Sequence, residues 1–320
     1  MATCIAAFDG GGSSTRCAIA DASGRVLALG VGGPIIDIRA PNGPEQCRQS
    51  VLDALEDALS QSSLSVDRIS LAACGMTCAL PPVESVVREA LMPIPKTVVV
   101  HDTVTALMGS LAGAPGVVVI SGTGSVAFGR NQEGRSCRVG GWGYVMGDEG
   151  SGYWIGLRAL SLATRAHDGV IPPTTLVHRV PKHFGCDRLI DIHPAANTGG
   201  LAKHAIASLA RTVCDAAMSG DEASIQLLRE AGAALGELVV AVARRLSLQA
   251  PLFSYAGGVF RAGPLILAPF RERVTAACPG ATLVHPVLDG VGGAILIGLK
   301  EAGIVVDEAV VERVRVSLAT

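Results

Sequence analysis

Short apolar runs separated by turn residues dominate the first third of the chain. Residues 4–8, 16–20 and 26–30 are such runs, with a glycine-rich turn at 9–15 and a polar turn at 21–24 between them. Runs of this length, bounded by Gly, Asp and Ser, predict strand, glycine turn, strand, hairpin, strand. Val51, Leu52, Leu55 and Leu59 recur at helical spacing and predict a helix over 45–59. A strand at 69–73, a helix near 84–91, a strand at 97–100 and a helix over 103–111 follow. The pattern then restarts: an apolar run at 117–120, a small-residue turn at 121–125, a run at 126–130, a turn at 131–135 and a third run ending at Val139. Strand, glycine turn, strand, hairpin, strand therefore occurs twice, which predicts two related domains. Beyond this the chain reads as mainly helical, over 153–166, 176–184, 202–218 and 222–246. A strand at 252–256 then ends in Gly257 and Gly258. Gly290, Gly292 and Gly293 break the start of a late helix. Gly and Pro cluster at 110–116, so the domains are expected to divide as residues 1–112 and 113–320, with the last helix free to pack back on the first.

Composition narrows the class. The chain has 320 residues, of which 49% are hydrophobic and 17% charged, enough apolar material for large cores and too little charge for disorder. The formal net charge is −2 and no basic stripe occurs, which argues against nucleic acid as a partner. No run of about 18 uncharged apolar residues predicts a membrane span. Met1–Cys4 lacks the basic start of a secretory signal. The nine cysteines are scattered; only Cys74 and Cys78 are close, without a second pair at zinc spacing. A cytoplasmic protein with reduced thiols is expected.

Five stretches carry candidate chemistry. In the first turn, Gly10, Gly11 and Gly12 let backbone approach phosphate oxygens, and Ser13, Ser14 and Thr15 add hydroxyls. Asp9, at the strand end, could hold Mg²⁺ through water. Without a ligand the same residues would make a plain hairpin. The second turn holds Gly122, Thr123 and Gly124. Neither is a Walker A loop, since no Gly-Lys-Ser/Thr follows, nor a Rossmann turn, since strand follows instead of helix. Asp102 follows a strand and opens a helix. It is either an N-cap or a general base able to take a proton from a substrate hydroxyl. The stretch 140–156 contains both tryptophans and two of the three tyrosines of a chain that is only 3% aromatic, together with Asp148 and Glu149. Glycines around Trp142 leave its ring exposed, and a carboxylate can accept two hydroxyls of a sugar. Asp148 or Ser151 could instead cap a helix, and Trp154 is expected in the core. After the strand at 252–256, Gly257 and Gly258 would let an adenine lie on backbone, or would simply form a turn.

Taken together, residues 9–15, 120–125 (ISGTGS), 140–155 (GGWGYVMGDEGSGYWI) and 256–258 resemble the sugar-kinase/actin/Hsp70 ATPase superfamily, and within it the N-acetylglucosamine kinase and BadF/BadG ATPase branch. The resemblance runs from Cys4 to about Leu299. It implies an α/β fold of two duplicated ribonuclease-H-like domains, an actin-like ATPase fold, around an interdomain cleft. It implies ATP and Mg²⁺, with Asp102 as catalytic aspartate. Gly10, Gly11, Gly12, Ser13, Ser14, Thr15, Gly122, Thr123, Gly124, Ala217, Gly257 and Gly258 fall on ATP-binding positions. Gly141, Trp142 and Asp148 fall on sugar-contacting ones. Two segments depart from the family pattern. Residues 33–38 read Gly-Pro-Ile-Ile-Asp-Ile, with Asp37 as the nearest polar candidate for the sugar, and 74–76 read Cys-Gly-Met around Gly75.

The expected activity is phosphorylation of the 6-hydroxyl of N-acetylglucosamine or glucosamine, by a homodimer. An activator ATPase with an iron–sulfur cluster shared across a dimer is one alternative, and a catalytically silent sugar sensor is another. The 142–148 stretch favours the kinase, because an activator needs no sugar pocket.

Overall fold

The computed structural model describes residues 4–78 and 81–319, so Met1–Thr3, on which the reading of the N-terminus rests, lie outside it. The chain divides into two compact units, Met1–Gly116 with Val284–Thr320, and Val117–Leu283.

The first unit is built on a five-stranded sheet in the order β3-β2-β1-β4-β5. Strands β1 (Cys4–Gly10), β2 (Thr15–Asp21) and β3 (Val26–Gly32) form an antiparallel meander, and β4 (Ile69–Met76) and β5 (Lys96–His101) extend it in parallel from β1. Successive side chains of a strand point to opposite faces. On β1, Cys4, Ala6 and Phe8 join a core with Val51 and Leu55 of α1 (Gly43–Ser60) and Val83 and Val87 of α2 (Pro81–Ala90). Ile5 and Ala7 join the opposite core, with Leu71 and residues Val291, Ile295 and Leu299 of α10 (Gly290–Glu301). Burial on both faces explains why β1 is an unbroken apolar run instead of an alternating one. Helix α3 (Asp102–Ser110) follows β5 directly, and α11 (Glu308–Leu318) places Val310 and Val314 in the second of these cores.

Residues 113–320 were expected to form one domain, with only the last helix returning. The structure returns the whole of Val284–Thr320, α10 included, to the first unit. Helix α10 is apolar on nearly every side, and the second face of the first sheet is the surface that buries it.

The second unit repeats the arrangement. Its sheet has the order β10-β9-β6-β7-β8, which read from the other edge is the order of the first sheet. Here β6 is Gly116–Ser121, β7 Ser125–Arg130, β8 Ser136–Gly140, β9 Leu252–Ala256 and β10 Thr282–Leu283. Strand β8 runs antiparallel to β7, while β9 is parallel to β6 and β10 to β9. The helices are α4 (Gly152–His167), α5 (Leu176–His183), the short α6 (His193–Asn197), α7 (Lys203–Met218), α8 (Glu222–Arg245) and α9 (Pro264–Ala277). Val117 and Val119 of β6 and Phe253 of β9 pack with Ile155 of α4, Leu209 and Val213 of α7, Leu235 of α8 and Phe270 of α9. Among the described residues, no helix is long and apolar enough to cross a membrane.

Candidate active site

In each unit the glycine turn joins the first two strands of the sheet. In the first unit β1 runs through Asp9 to Gly10, which pairs with Thr15, so the turn proper is residues 11–14. It is closed by a hydrogen bond from Gly11 N to Ser14 O (3.0 Å) and anchored by Ile35 N donating to Gly11 O (2.9 Å). Gly12 and Ser13 are exposed, and a Cβ built on Gly12 would meet nothing within 4 Å. Backbone donors there are open to a ligand. Thr15 differs: it is fully buried, and its Oγ1 has no hydrogen-bond partner.

Asp9 lies against the start of α10. A Cβ on Gly290 would come within 2.4 Å of Asp9 Oδ2, so glycine is what lets that helix approach. The residue before it, Asp289, caps α10 by accepting from Gly292 N (3.0 Å), and Arg16 Nη1 donates to its other oxygen. Burial pushes the Asp9 carboxyl up to about 7, with Asp102 and Asp289 adding to the rise and Arg16 opposing it. Asp9 is therefore short of compensating positive charge. Among the described residues no group of three or more His, Cys, Asp or Glu side chains surrounds a metal-sized space. A hydrated Mg²⁺ fits this environment, because it keeps most of its waters and needs only one or two carboxylates beside substrate phosphates.

Asp102 is the first residue of α3, but it does not cap the helix. His101 does, its ring accepting from Thr103 N (3.3 Å). Asp102 Oδ1 is shielded from solvent and accepts no hydrogen bond, with His101 Nδ1 2.7 Å away as its nearest charged-pair partner. The carboxylate is thus not spent on the backbone, and an acceptor is left for a ligand hydroxyl. The first turn of α3 packs tightly on β4, since a Cβ on Gly75 would lie 2.3 Å from Thr105 Oγ1. Gly75 thus sits directly beneath the turn that carries Asp102. Asp37 is exposed and bound by its neighbour Arg39 at both oxygens (3.0 Å each), and those hydrogen bonds hold its carboxyl below the usual range.

In the second unit the turn 121–125 is fastened to the stretch behind it. Ser121 Oγ donates to Gly150 O (2.9 Å), Ser125 Oγ to Glu149 O (2.8 Å) and Gly152 N to Gly122 O (2.8 Å). Gly141 N donates to Ser125 O (3.0 Å) from the left-handed region, φ 70°. Trp142 is 69% exposed, as expected of an aromatic among glycines. Trp154 is partly buried against the core, with Arg158 4.5 Å from its ring centre. Asp148 is buried, and its Oδ1 accepts from Ser125 N (3.1 Å). The cap of α4 is Ser151, which accepts from Trp154 N (3.1 Å). Gly257 is held at φ 98°, where a Cβ would lie 2.2 Å from Ser121 O, whereas Gly258 faces open space. Ala217 is buried on α7.

The chain matches the BadF/BadG/BcrA/BcrD ATPase family over residues 8–298. It belongs to that family. It is 32% identical to the N-acetylmuramic acid/N-acetylglucosamine kinase of Clostridium acetobutylicum, over 93% of this chain and 98% of that protein. It is 29% identical to the N-acetyl-D-glucosamine kinase of Dictyostelium discoideum, over 92% of this chain and 97% of that one. A solved structure from Chromobacterium violaceum, assigned as an N-acetylglucosamine kinase, superposes with a TM-score of 0.75 at 29% identity, covering 92% of this chain and 98% of that chain. A ROK family glucokinase from Streptomyces griseus, solved with glucose and AMPPNP, shares the fold with a TM-score of 0.60 at 18% identity, over 92% and 98% of the two chains.

Within this family member, sequence reasoning missed Arg16, Asp289 and Gly290, which surround Asp9, and Lys203, whose Nζ lies 3.6 Å from Asp148 Oδ2. An aspartate just before the glycine-broken start of α10 was a legible capping signal. Nothing local marked Lys203.

Proposed function

We propose that this family member is an ATP-dependent kinase that phosphorylates the 6-hydroxyl of an amino sugar, N-acetylglucosamine or glucosamine. The observation that carries the reading is the shielded Oδ1 of Asp102 just after β5, which caps no helix and has the His101 ring nitrogen 2.7 Å away. In this reading Asp102 takes the proton from the sugar hydroxyl as that oxygen bonds to the γ-phosphorus of ATP, and the bond from phosphorus to the bridging oxygen of ADP breaks. The two turns hold phosphate oxygens: Gly10, Gly11, Gly12, Gly122, Thr123 and Gly124 let the phosphates approach the backbone, and the hydroxyls of Ser13 and Ser14 add donors. Gly257, Gly258 and the buried Ala217 form the adenosine surface. Asp9 would hold hydrated Mg²⁺, which neutralises phosphate charge.

In the same reading the sugar-contacting residues are Trp142, Gly141 and Asp148 in the second unit and Gly75 and Asp37 in the first. Substrate class is supported by relatives that cover nearly the whole chain and act on N-acetylglucosamine, and by a glucosamine kinase of Vibrio cholerae 28% identical over 73% of this chain and 79% of that one. A cytoplasmic homodimer belongs to the same proposal, and sedimentation at several concentrations checks the assembly. The test of the activity is a coupled ADP-release assay against a panel of hexoses and amino sugars, with phosphorus NMR to locate the phosphate. Asp102→Asn should lower kcat by about 10²–10⁴-fold with nucleotide affinity retained. Near-normal turnover in that variant, or phosphate on a hydroxyl other than the 6-hydroxyl, would overturn the reading.

A further inference from the structure

The 121–125 turn touches a buried carboxylate, and that carboxylate touches a cation. Asp148 is 4% exposed and sits in the left-handed region, φ 64°. Its Oδ1 accepts from Ser125 N (3.1 Å), and a Cβ on Gly124 would lie 2.9 Å from both of its oxygens. The carboxylate is therefore pressed against the turn. A buried carboxylate needs a compensating charge, and one neutral N–H does not supply it. The cation present is Lys203, the first residue of α7, with Nζ 3.6 Å from Asp148 Oδ2. Its ammonium also stands 5.0 Å from the ring centre of Tyr144, in the aromatic stretch that follows Trp142. The lysine side chain is 39% exposed, so it reaches the carboxylate from the surface and is not required to fill a core.

We propose that Lys203 is a positioning residue for the 121–125 turn, acting through Asp148. Its charge holds the carboxylate against Gly124 and Ser125, and the carboxylate fixes Ser125 N–H, so that Thr123 and Gly124 stay presented to a nucleotide triphosphate. This rests on reading the turn as a phosphate site. It also changes what Asp148 is expected to do: a residue placed on the sugar surface becomes a determinant of nucleotide binding as well.

The experiment compares Lys203→Met, Lys203→Arg, Asp148→Asn and the Lys203→Met/Asp148→Asn double variant in the full chain, with a non-hydrolysable ATP analogue as probe and thermal melts to establish folding. Lys203→Met keeps the stem and removes the charge. It should weaken analogue binding about tenfold, a typical coupling for groups in one ion-pair network, and Lys203→Arg should recover most of that loss. Because Lys203 acts through Asp148, the double variant should bind no worse than Asp148→Asn alone. Hydrogen exchange should quicken at the Ser125 amide in Lys203→Met, with the amides of α8 unchanged. Unaltered analogue affinity in Lys203→Met, or penalties that simply add in the double variant, would overturn the proposal. If the wild-type protein does not bind the analogue, the phosphate reading fails by itself. Exchange at Ser125 then still decides the latch, because an amide equally protected with and without the lysine charge would refute it.

Discussion

Asp9→Asn should make this protein more stable and abolish its activity. The Asp9 carboxyl, whose ordinary value is 3.8, is pushed up to about 7 by burial and by Asp102 and Asp289. In the folded chain it therefore retains a proton that the unfolded chain gives up between those two values. The unfolded state binds fewer protons across this window, so stability falls as pH rises from about 4 to 7, and the cost is fully present above 7. A rise of about three pKa units corresponds to about 4 kcal/mol at most. Asp9 is only partly buried and water screens the effect, so ~1–2 kcal/mol is the expected cost, or several degrees in Tm.

Asparagine has the shape of aspartate without its charge. Melts of the metal-free proteins at pH 5 and pH 8 separate the cases. At pH 5, where only about a third of the cost is present, Asp9→Asn should melt slightly higher than wild type; at pH 8 the gap should reach its full size. Adding Mg²⁺ with the ATP analogue should narrow the gap, because only the wild type offers the cation a carboxylate. Kinase activity of the variant should be lost at both pH values. A variant less stable than wild type at pH 8, or a gap of equal size at both pH values, would refute the argument that Asp9 carries uncompensated charge.

Other expectations follow from single contacts. Gly257→Ala would place a Cβ 2.2 Å from Ser121 O at a φ of 98°, so urea melts should show a loss of about 1–3 kcal/mol and ATP affinity should fall with it. Asp148→Ala should raise the KM for both ATP and sugar, since the carboxylate holds Ser125 N; a change in sugar KM alone would mean that the turn stands without it. Thr123→Val should weaken nucleotide binding in calorimetry without altering the melting temperature. Asp37→Ala, at an exposed residue paired only with its neighbour Arg39, should leave the melting curve unchanged and raise only the sugar KM if it contacts substrate.

Much of the architecture was legible because it is local. Runs of four to six apolar residues separated by glycine turns announced β1–β2–β3 and β6–β7–β8, and the repetition announced a duplication that the matching strand orders display. Asp102 was legible too, as a carboxylate between a strand and a helix. Its two readings, cap or base, were not separable in sequence, since either requires only an acid at the helix start. The structure gives the cap to His101, which removes the capping reading for Asp102 and leaves its role as a base to experiment.

What tertiary structure alone decided lies far apart along the chain. Helix α10 belongs to the first unit because its apolar surface covers the second face of that sheet, and apolar periodicity says that a helix must be buried without saying where. That return brings Asp289 to Arg16, 273 residues away, and sets Gly290 against Asp9, so that a strand-end aspartate becomes buried beside a second carboxylate. Likewise Asp148 read as an acceptor for sugar hydroxyls or as a helix cap, because local sequence shows which groups a residue carries but not which are desolvated. Only the packing of the 148–153 stretch behind the 121–125 turn buries that carboxylate, and only the fold brings Lys203 within 3.6 Å of it.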